Sequence, residues 1–222
     1  MAINPAPDYD NIGIKYEHTF AHDKGLLNFV KTSLELLPPD ASVLDIGSGT
    51  GKPVSDTVVA SGRKLYGIDL SPAMIELCRK QVPGGTFELV NILEFTPKEQ
   101  FNAAFAVFSM FGFTREEMNE MARKWSEWIV PGGYLLIGTM AADDFPTKPH
   151  MLDEDGLCAR GIEHTFMGKR IANLLYTKKG WESLLREVGF EVVGTEMVPF
   201  QPPAEAECDN EPHYYITARK AS

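Results

Sequence analysis

The sequence predicts a mostly parallel, doubly wound α/β sheet, and three observations carry that expectation. Short apolar runs recur at 42–46, 64–69, 86–91, 103–110 and 134–140. Well-capped helix starts fall between them. A glycine-rich turn closes the first run. Strands that alternate with helices join in parallel through crossovers, which leaves both faces of the sheet covered.

The elements follow in order. Residues 8–37 read as one or two helices ahead of the first strand, "SVLDI" (42–46). Pro53 then suits the first turn of a helix running to about Gly62. "KLYGID" (64–69) is the second strand, and Ser71 with Pro72 starts the helix "SPAMIELCRKQV" as N-cap and N1. "TFELVN" (86–91) is the third strand, followed by only a short turn or helix near Pro97. "AAFAVFSM" (103–110) is the fourth. Thr114 and Glu117 form a capping box for a helix that ends at "WSEWIV". "PGG" at 131–133 turns the chain into a fifth strand, "YLLIGTM". Residues 140–176 form an insertion. Thr177 caps "KKGWESLLREV", which Gly189 closes. The end reads as two strands joined by a polar, proline-containing loop.

Composition narrows the partners. The 222 residues are 44% hydrophobic, enough for one domain with a substantial core and too apolar for disorder. Lys and Arg number 21 against 31 Asp and Glu, a net charge of −10. The basic pairs Lys169-Arg170 and Lys178-Lys179 are too short for a nucleic-acid stripe, so no nucleic-acid partner is expected. Cys78, Cys158 and Cys208 are odd in number and lack CxxC spacing. They read as reduced thiols of a cytoplasmic protein, with no metal site. "MAINPAPDYDNIG" lacks the apolar core of a signal peptide, and "FNAAFAVFSMFGF" is too short to cross a bilayer. A soluble protein without membrane contact is expected.

The stretch "LDIGSGTGKP" decides the ligand class. A phosphate-binding loop needs GxxxxGK and then Ser or Thr, whereas here Gly47 and Gly51 stand one residue too close and Pro53 replaces the hydroxyl. A dinucleotide loop wants GxGxxG, and here the pattern is GxGxG. Asp45 would repel a pyrophosphate and attract an ammonium and a sulfonium. S-adenosylmethionine carries both cations and no phosphate. Gly47, Gly49 and Gly51 let the backbone approach such a ligand closely. Asp69, 18 residues beyond Gly51, is placed to accept from both ribose hydroxyls, with Leu70 against the adenine.

At these residues the sequence resembles the class I S-adenosylmethionine-dependent methyltransferases of small-molecule type. "LDIGSGTG" looks like their motif I, "GIDLSPAMI" like motif II, "VNILEF" like motif III and "FNAAFAVFSMF" like motif IV, followed by "PGGYLLIGT". The resemblance implies a Rossmann-like seven-stranded sheet of order 3-2-1-4-5-7-6 with strand 7 antiparallel. It implies one domain over 1–222: a helical lid at 1–40, a cofactor-binding core at 41–140 and a substrate-side insertion at 140–176. It further implies Tyr16, Ser48, Asn91, Ile92 and Phe108 as cofactor contacts beside those above. Tyr9, Tyr16 and Phe20 fall where lid aromatics would lie. Phe20, Met110, Phe111, Phe113 and His164 are the candidate substrate contacts.

Three positions depart from the family pattern. Asn91 stands where motif III offers an Asp to the adenine amino group; its side-chain oxygen can accept the same bond. Asn102 replaces the Asp that often opens motif IV. Gly112 stands where relatives often place a His. His164 and His18 remain as candidate bases, while His150 and His213 read as solvated loop residues. The expected activity is methyl transfer from S-adenosylmethionine to O, N or S of a small, largely apolar metabolite, leaving S-adenosylhomocysteine. A monomer or homodimer of secondary metabolism is the expected setting. Gly112 motivates the alternative: a methyltransferase fold that holds the cofactor structurally and acts as a non-methylating cyclase or partner-binding module.

Overall fold

The computed structural model describes residues 9–222, so residues 1–8 of the expected lid lie outside them. Helices α1 (Tyr9–Phe20) and α2 (Lys24–Glu35) precede strand β1 (Ser42–Ile46). Then come α3 (Val54–Ala60), β2 (Lys64–Asp69), α4 (Pro72–Gln81), β3 (Thr86–Leu89) and β4 (Phe101–Val107). Helix α5 (Arg115–Trp128) leads into β5 (Ile129–Thr139), followed by β6 (Cys158–Phe166) and β7 (Lys169–Tyr176). Helix α6 (Lys178–Glu187) and strands β8 (Phe190–Phe200) and β9 (Glu211–Lys220) end the chain.

Seven strands form one sheet in the order β3-β2-β1-β4-β5-β9-β8. Strands β1 to β5 pair in parallel, and β9 runs antiparallel between β5 and β8. Strands β6 and β7 form a separate hairpin, so the main sheet carries the expected 3-2-1-4-5-7-6 order. Strand order reverses at β1, where β2 lies on one side and β4 on the other. A crevice therefore opens at the carboxyl ends of these strands.

Alternation along the strands builds two cores. Leu44, Ile46, Ala104 and Ala106 pack with Trp125 and Trp128 of α5 and Trp181 of α6. Val43 and Phe105 face the other way, against Phe29 of α2, Val58 of α3 and Ile75 of α4. The same alternation aims Asp45 toward α3. A third, smaller core under the hairpin contains Met140, Ile162 and Leu175.

Local chemistry fixes the helix starts. Ser71 accepts from Met74 N, Thr177 accepts from Gly180 N, and Thr114 and Glu117 form the reciprocal capping box. Some sequence boundaries shift. The third strand ends at Leu89 because Asn91 accepts from Leu93 N and turns the chain. The fourth ends at Val107, since Phe108 takes a positive φ of 52°. "PGG" lies inside β5 as an irregularity: Phe101 pairs with Ile129 but Ala103 with Tyr134. Gly133 is required there, because an added Cβ would fall 2.6 Å from the Asn102 carbonyl oxygen. Asn102 itself accepts from Ser42 N at the starting end of β4, the end opposite the crevice. Among the described residues no helix is long and apolar enough to cross a membrane.

Trp125 is fully buried in the α5 core. Trp125→Ala should cost about 3–5 kcal/mol of unfolding free energy. Urea denaturation followed by circular dichroism measures that loss, and a cost below ~1 kcal/mol would contradict the assigned core.

Candidate active site

The glycine loop hangs from β2. Gly47 N and Ser48 N both donate to the Ile68 carbonyl, at 2.8 and 2.9 Å. Gly47 takes φ 73°, and an added Cβ would lie 2.3 Å from Ser109 Cβ. That close approach of the chain leaving β4 admits no side chain. Asp69, at the end of β2, accepts from Gly49 N and Ser71 N, each at 2.9 Å. One carboxylate thus clasps the loop and starts α4. Ser48 is buried, with its Oγ 3.5 Å from Cys78 Sγ.

The loop's electrostatics are anionic. Asp45 is buried and accepts from Ser55 Oγ at 2.6 Å. Burial pushes its carboxyl up to about 7, against the Ser55 bond, and Asp69 pushes the same way as burial. Burial also raises Asp69, against its backbone donors. Buried like charges hold protons that a cation would displace. Two hydroxyls here, Thr50 Oγ1 and Ser109 Oγ, are buried without partners. Paired carboxylates and orphaned hydroxyls around a glycine loop fit a ligand bearing cations and ribose hydroxyls. Leu70 is 66% exposed at the rim, and Ile92 is buried beyond it. Asn91 stands where an adenine edge would fall, but one lone pair of its oxygen is already used by Leu93 N.

Helix α1 lies across this loop. Its Asp10 accepts from Ser71 Oγ at 2.5 Å. Its Glu17 accepts from Gln81 Nε2 at 2.7 Å and sits 3.7 Å from Lys52. Tyr16 and Phe20 are four residues apart, so both reach the inner face, with ring centroids 4.9 Å apart. An added Cβ at Gly49 would lie 4.0 Å from Tyr16 Cε1, which places that ring over the loop. His18 is two residues on from Tyr16, about 200° around the helix, and is exposed. The expectation of His18 as base is therefore corrected by helix phase.

Beyond Tyr16 the lid packs into an aromatic cluster. Phe20 meets Phe166 of β6 at 5.9 Å and Phe200 of β8 at 5.5 Å. Phe200 stacks on His213 at 4.8 Å, and Phe108 meets the same imidazole at 4.3 Å. Phe111 stacks on Phe108 at 6.2 Å. Met110 and Phe113 are not brought into this ring set; they pack, partly buried, against the core of α5 and α6. His164 is buried on β6, and its Nδ1 has no partner. Burial lowers its pKa, which keeps the imidazole neutral and able to accept a proton. An open hollow of about 540 Å³ beside Arg115, Asp153 and Asp155 lies elsewhere. Its Arg115 is already paired with both aspartates.

His213, read from sequence as a solvated loop residue, is fully buried on β9. Its Nδ1 lies 2.8 Å from Asp23 Oδ2 and its Nε2 2.8 Å from Glu211 Oε2, while Tyr215 OH donates to the same Asp23 oxygen at 3.0 Å. Burial opposes charge on His213, but hydrogen bonds to Asp23 and Glu211 prevail and raise its pKa. Asp23 shifts downward, since those bonds outweigh its own burial. Sequence reasoning missed Asp23 and Glu211. The alternation Glu211, His213, Tyr215 on one strand face was the available signal.

With this geometry in place, the likeness to known proteins can be read. A family model described as a methyltransferase domain matches residues 43–133. The "Probable cobalt-precorrin-6B C(15)-methyltransferase (decarboxylating)" of Sulfolobus acidocaldarius is 29% identical over 157 residues, 69% of this chain and 79% of its own. The 1,6-didemethyltoxoflavin-N1-methyltransferase of Burkholderia thailandensis, solved with 1,6-didemethyltoxoflavin and S-adenosylhomocysteine, superposes with a TM-score of 0.69 at 16% identity. The match covers 97% of this chain and 86% of that one. The N-methyltransferase NodS of Bradyrhizobium japonicum, solved with S-adenosylhomocysteine, gives 0.66 at 14% identity, covering 94% and 91%. At such identities the structural likeness concerns the fold.

A histidine with a raised folded pKa adds stability that is complete below its unfolded value, about 6.5, and is lost as pH rises through the folded value. Urea midpoints should therefore fall as pH climbs above that range. His213→Gln should flatten the slope; equal slopes in both proteins would show that His213 does not charge.

Proposed function

We propose that this chain, which belongs by domain and fold to the class I S-adenosylmethionine-dependent methyltransferases, transfers a methyl group to O, N or S of a small, largely apolar metabolite. One observation carries the reading. The anionic glycine loop and the aromatic cluster meet at Tyr16, under one lid. When bound, S-adenosylmethionine supplies an electrophilic methyl group on a sulfonium that leaves as a neutral thioether. Asp69 is placed to hold ribose hydroxyls, Asp45 to offset positive charge, and Gly49 to leave the loop backbone open to the ligand. Tyr16 lies where the two halves meet, its ring over the glycine loop and against Phe20, and there it excludes water. His164 is the base available to take a proton from the acceptor.

The buried, unpartnered His164 also removes the motive for the alternative, because a base is available although Gly112 is not one. The three cysteines are free, which supports a reducing compartment such as the cytoplasm. Incubation with methyl-labelled S-adenosylmethionine and a metabolite extract tests the reading. Label should move to a small molecule; tight cofactor binding with no transfer would refute it.

Two residue-level outcomes follow. Asp69→Ala removes charge-assisted bonds worth roughly 1.5–3 kcal/mol each, so calorimetric affinity for S-adenosylhomocysteine should drop at least about tenfold. An unchanged dissociation constant would place the ribose elsewhere. Because Asp45 titrates at about 7, binding of the cationic cofactor at pH 7 should release about half a proton. Calorimetry in two buffers of different ionisation enthalpy reads that release, and Asp45→Asn should abolish it.

A further inference from the structure

We propose that the acceptor is an amine, bound as its ammonium form on an apolar, ring-bearing body, with Glu211 as its anchoring carboxylate. The inference rests on the methyl-transfer reading above and names the substrate class of that site.

Three features of this region point there. The first is its charge. Glu211 is buried at the start of β9 and faces the same side as His213. With His213 protonated, Asp23 and Glu211 still leave the trio at net −1. The neighbouring cations are committed outside: Lys15 to Glu207 at 3.9 Å, Lys52 to Glu17, and the exposed Arg170 to Glu163 and Asp209. Glu211 shares the His213 imidazole with Asp23, and a buried group left with net negative charge favours a cationic guest and disfavours an anionic one.

The second feature is the wall. Tyr16, Phe20, Phe166 and Phe200 pack ring against ring, and Phe200 and Phe108 both meet the imidazole of His213, the partner of Glu211. Ring faces attract an ammonium within about 6 Å and pack an apolar body equally well. A site lined this way needs one charged group to orient its guest, and Glu211 supplies it.

The third feature points to a ligand independently. His164 is only 4% exposed, and its Nδ1 has no hydrogen-bond partner. It shares the inner face of β6 with Phe166, two residues on, whose ring stacks on Phe20 of the lid. Thr165 N donates to Asp209 Oδ2 at 2.7 Å, and Asp209 N donates to the Thr165 carbonyl at 2.9 Å. Those bonds pin the hairpin beside the segment entering β9, two residues before Glu211. The strand that carries the orphaned imidazole is thus held beside the segment that leads into Glu211.

The two groups divide the chemistry. Glu211 binds the ammonium. One N–H proton passes to His164 Nδ1, which frees the nitrogen lone pair. That pair forms the N–CH3 bond as the C–S bonding pair departs with sulfur, giving a neutral thioether. The product is the methylated ammonium, and the proton on His164 leaves to solvent when the lid opens.

The test uses the full chain saturated with S-adenosylhomocysteine, in thermal-shift and calorimetric titrations. The probes are a size-graded series of ring-bearing primary and secondary amines, each with the alcohol, thiol and carboxylate of the same skeleton. Amines should bind at least about tenfold tighter than their matched analogues, and Glu211→Gln should shrink that preference to within about threefold. Tighter binding of any neutral or anionic analogue, no binding by any amine, or a preference that survives Glu211→Gln would overturn the proposal. Should the variant fail to fold, the wild-type preference alone decides. A chain whose melting temperature ignores S-adenosylhomocysteine fails the cofactor reading instead, so the two failures are told apart.

Discussion

The carboxylate of Asp23 ties together the parts of the molecule that have to meet. One oxygen accepts from Gly25 N and starts α2. The other takes His213 and Tyr215. Asp23 stands three residues past the end of the lid helix, so the hinge of the lid is fastened to the middle of β9. Removing one partner from a buried charged pair typically costs about 3–5 kcal/mol, because it strands the other. The lid therefore does not hang freely from the sheet. Its base is fixed, and farther out it is held by the exposed pair Lys15–Glu207, by Lys52 on the buried Glu17, and by hydrogen bonds from Ser71 and Gln81. An exposed pair such as Lys15–Glu207 contributes about 0–1 kcal/mol. Strong at the hinge and weaker along the rim is the arrangement expected of a flap that opens for ligands and closes in one orientation.

Sequence made the cofactor half legible because its signals are local. Ser71, Thr114 with Glu117, and Thr177 announce helix starts through bonds made within four residues. Gly47 and Asp69 mark a strand–loop unit whose spacing is set by backbone geometry. The acceptor half depends on contacts between residues far apart in the chain, which no short window contains. His213 sits in "AECDNEPHYY", a polar stretch that reads as loop, yet it is buried by an aspartate 190 residues away. The hairpin β6–β7 is interrupted by Gly161 and Gly168, both at positive φ, so its alternation is broken on both sides of His164. His18 falls outside the site for a simpler reason: Tyr16 and Phe20 fix which face of the helix points inward, and helix phase turns His18 to the exposed side.

Charge gives the site its direction. Asp45 and Asp69 belong to the glycine-loop half, and Glu211 with Asp23 to the half of the aromatic cluster. Burial pushes the Tyr16 phenol well above its ordinary range, with Tyr9, Glu211, Asp69 and Asp45 adding to the shift. The hydroxyl stays neutral, so the ring adds no charge where the two anionic groups of residues meet. Two cationic ligands facing each other across a dry site would repel strongly, since the attraction or repulsion of unit charges grows as water is excluded. Separate negative charge on each side lowers that repulsion while both ligands bind.

That same repulsion explains why a neutral base is needed beside an anionic anchor. An ammonium has no free electron pair, so an acceptor held only by carboxylates would bind well and not react. His164 is kept uncharged by burial and carries an unpaired nitrogen, and so can withdraw the proton once the guest is seated. Loss of that proton also cancels the guest's positive charge at the moment the methyl group moves. Capture and activation then fall to different residues on different strands, β9 for the charge and β6 for the proton. The lid helix rests through Phe20 on Phe166 of β6 and on Phe200 of β8, and Phe200 in turn stacks on His213 of β9, so the lid touches the elements that carry both roles.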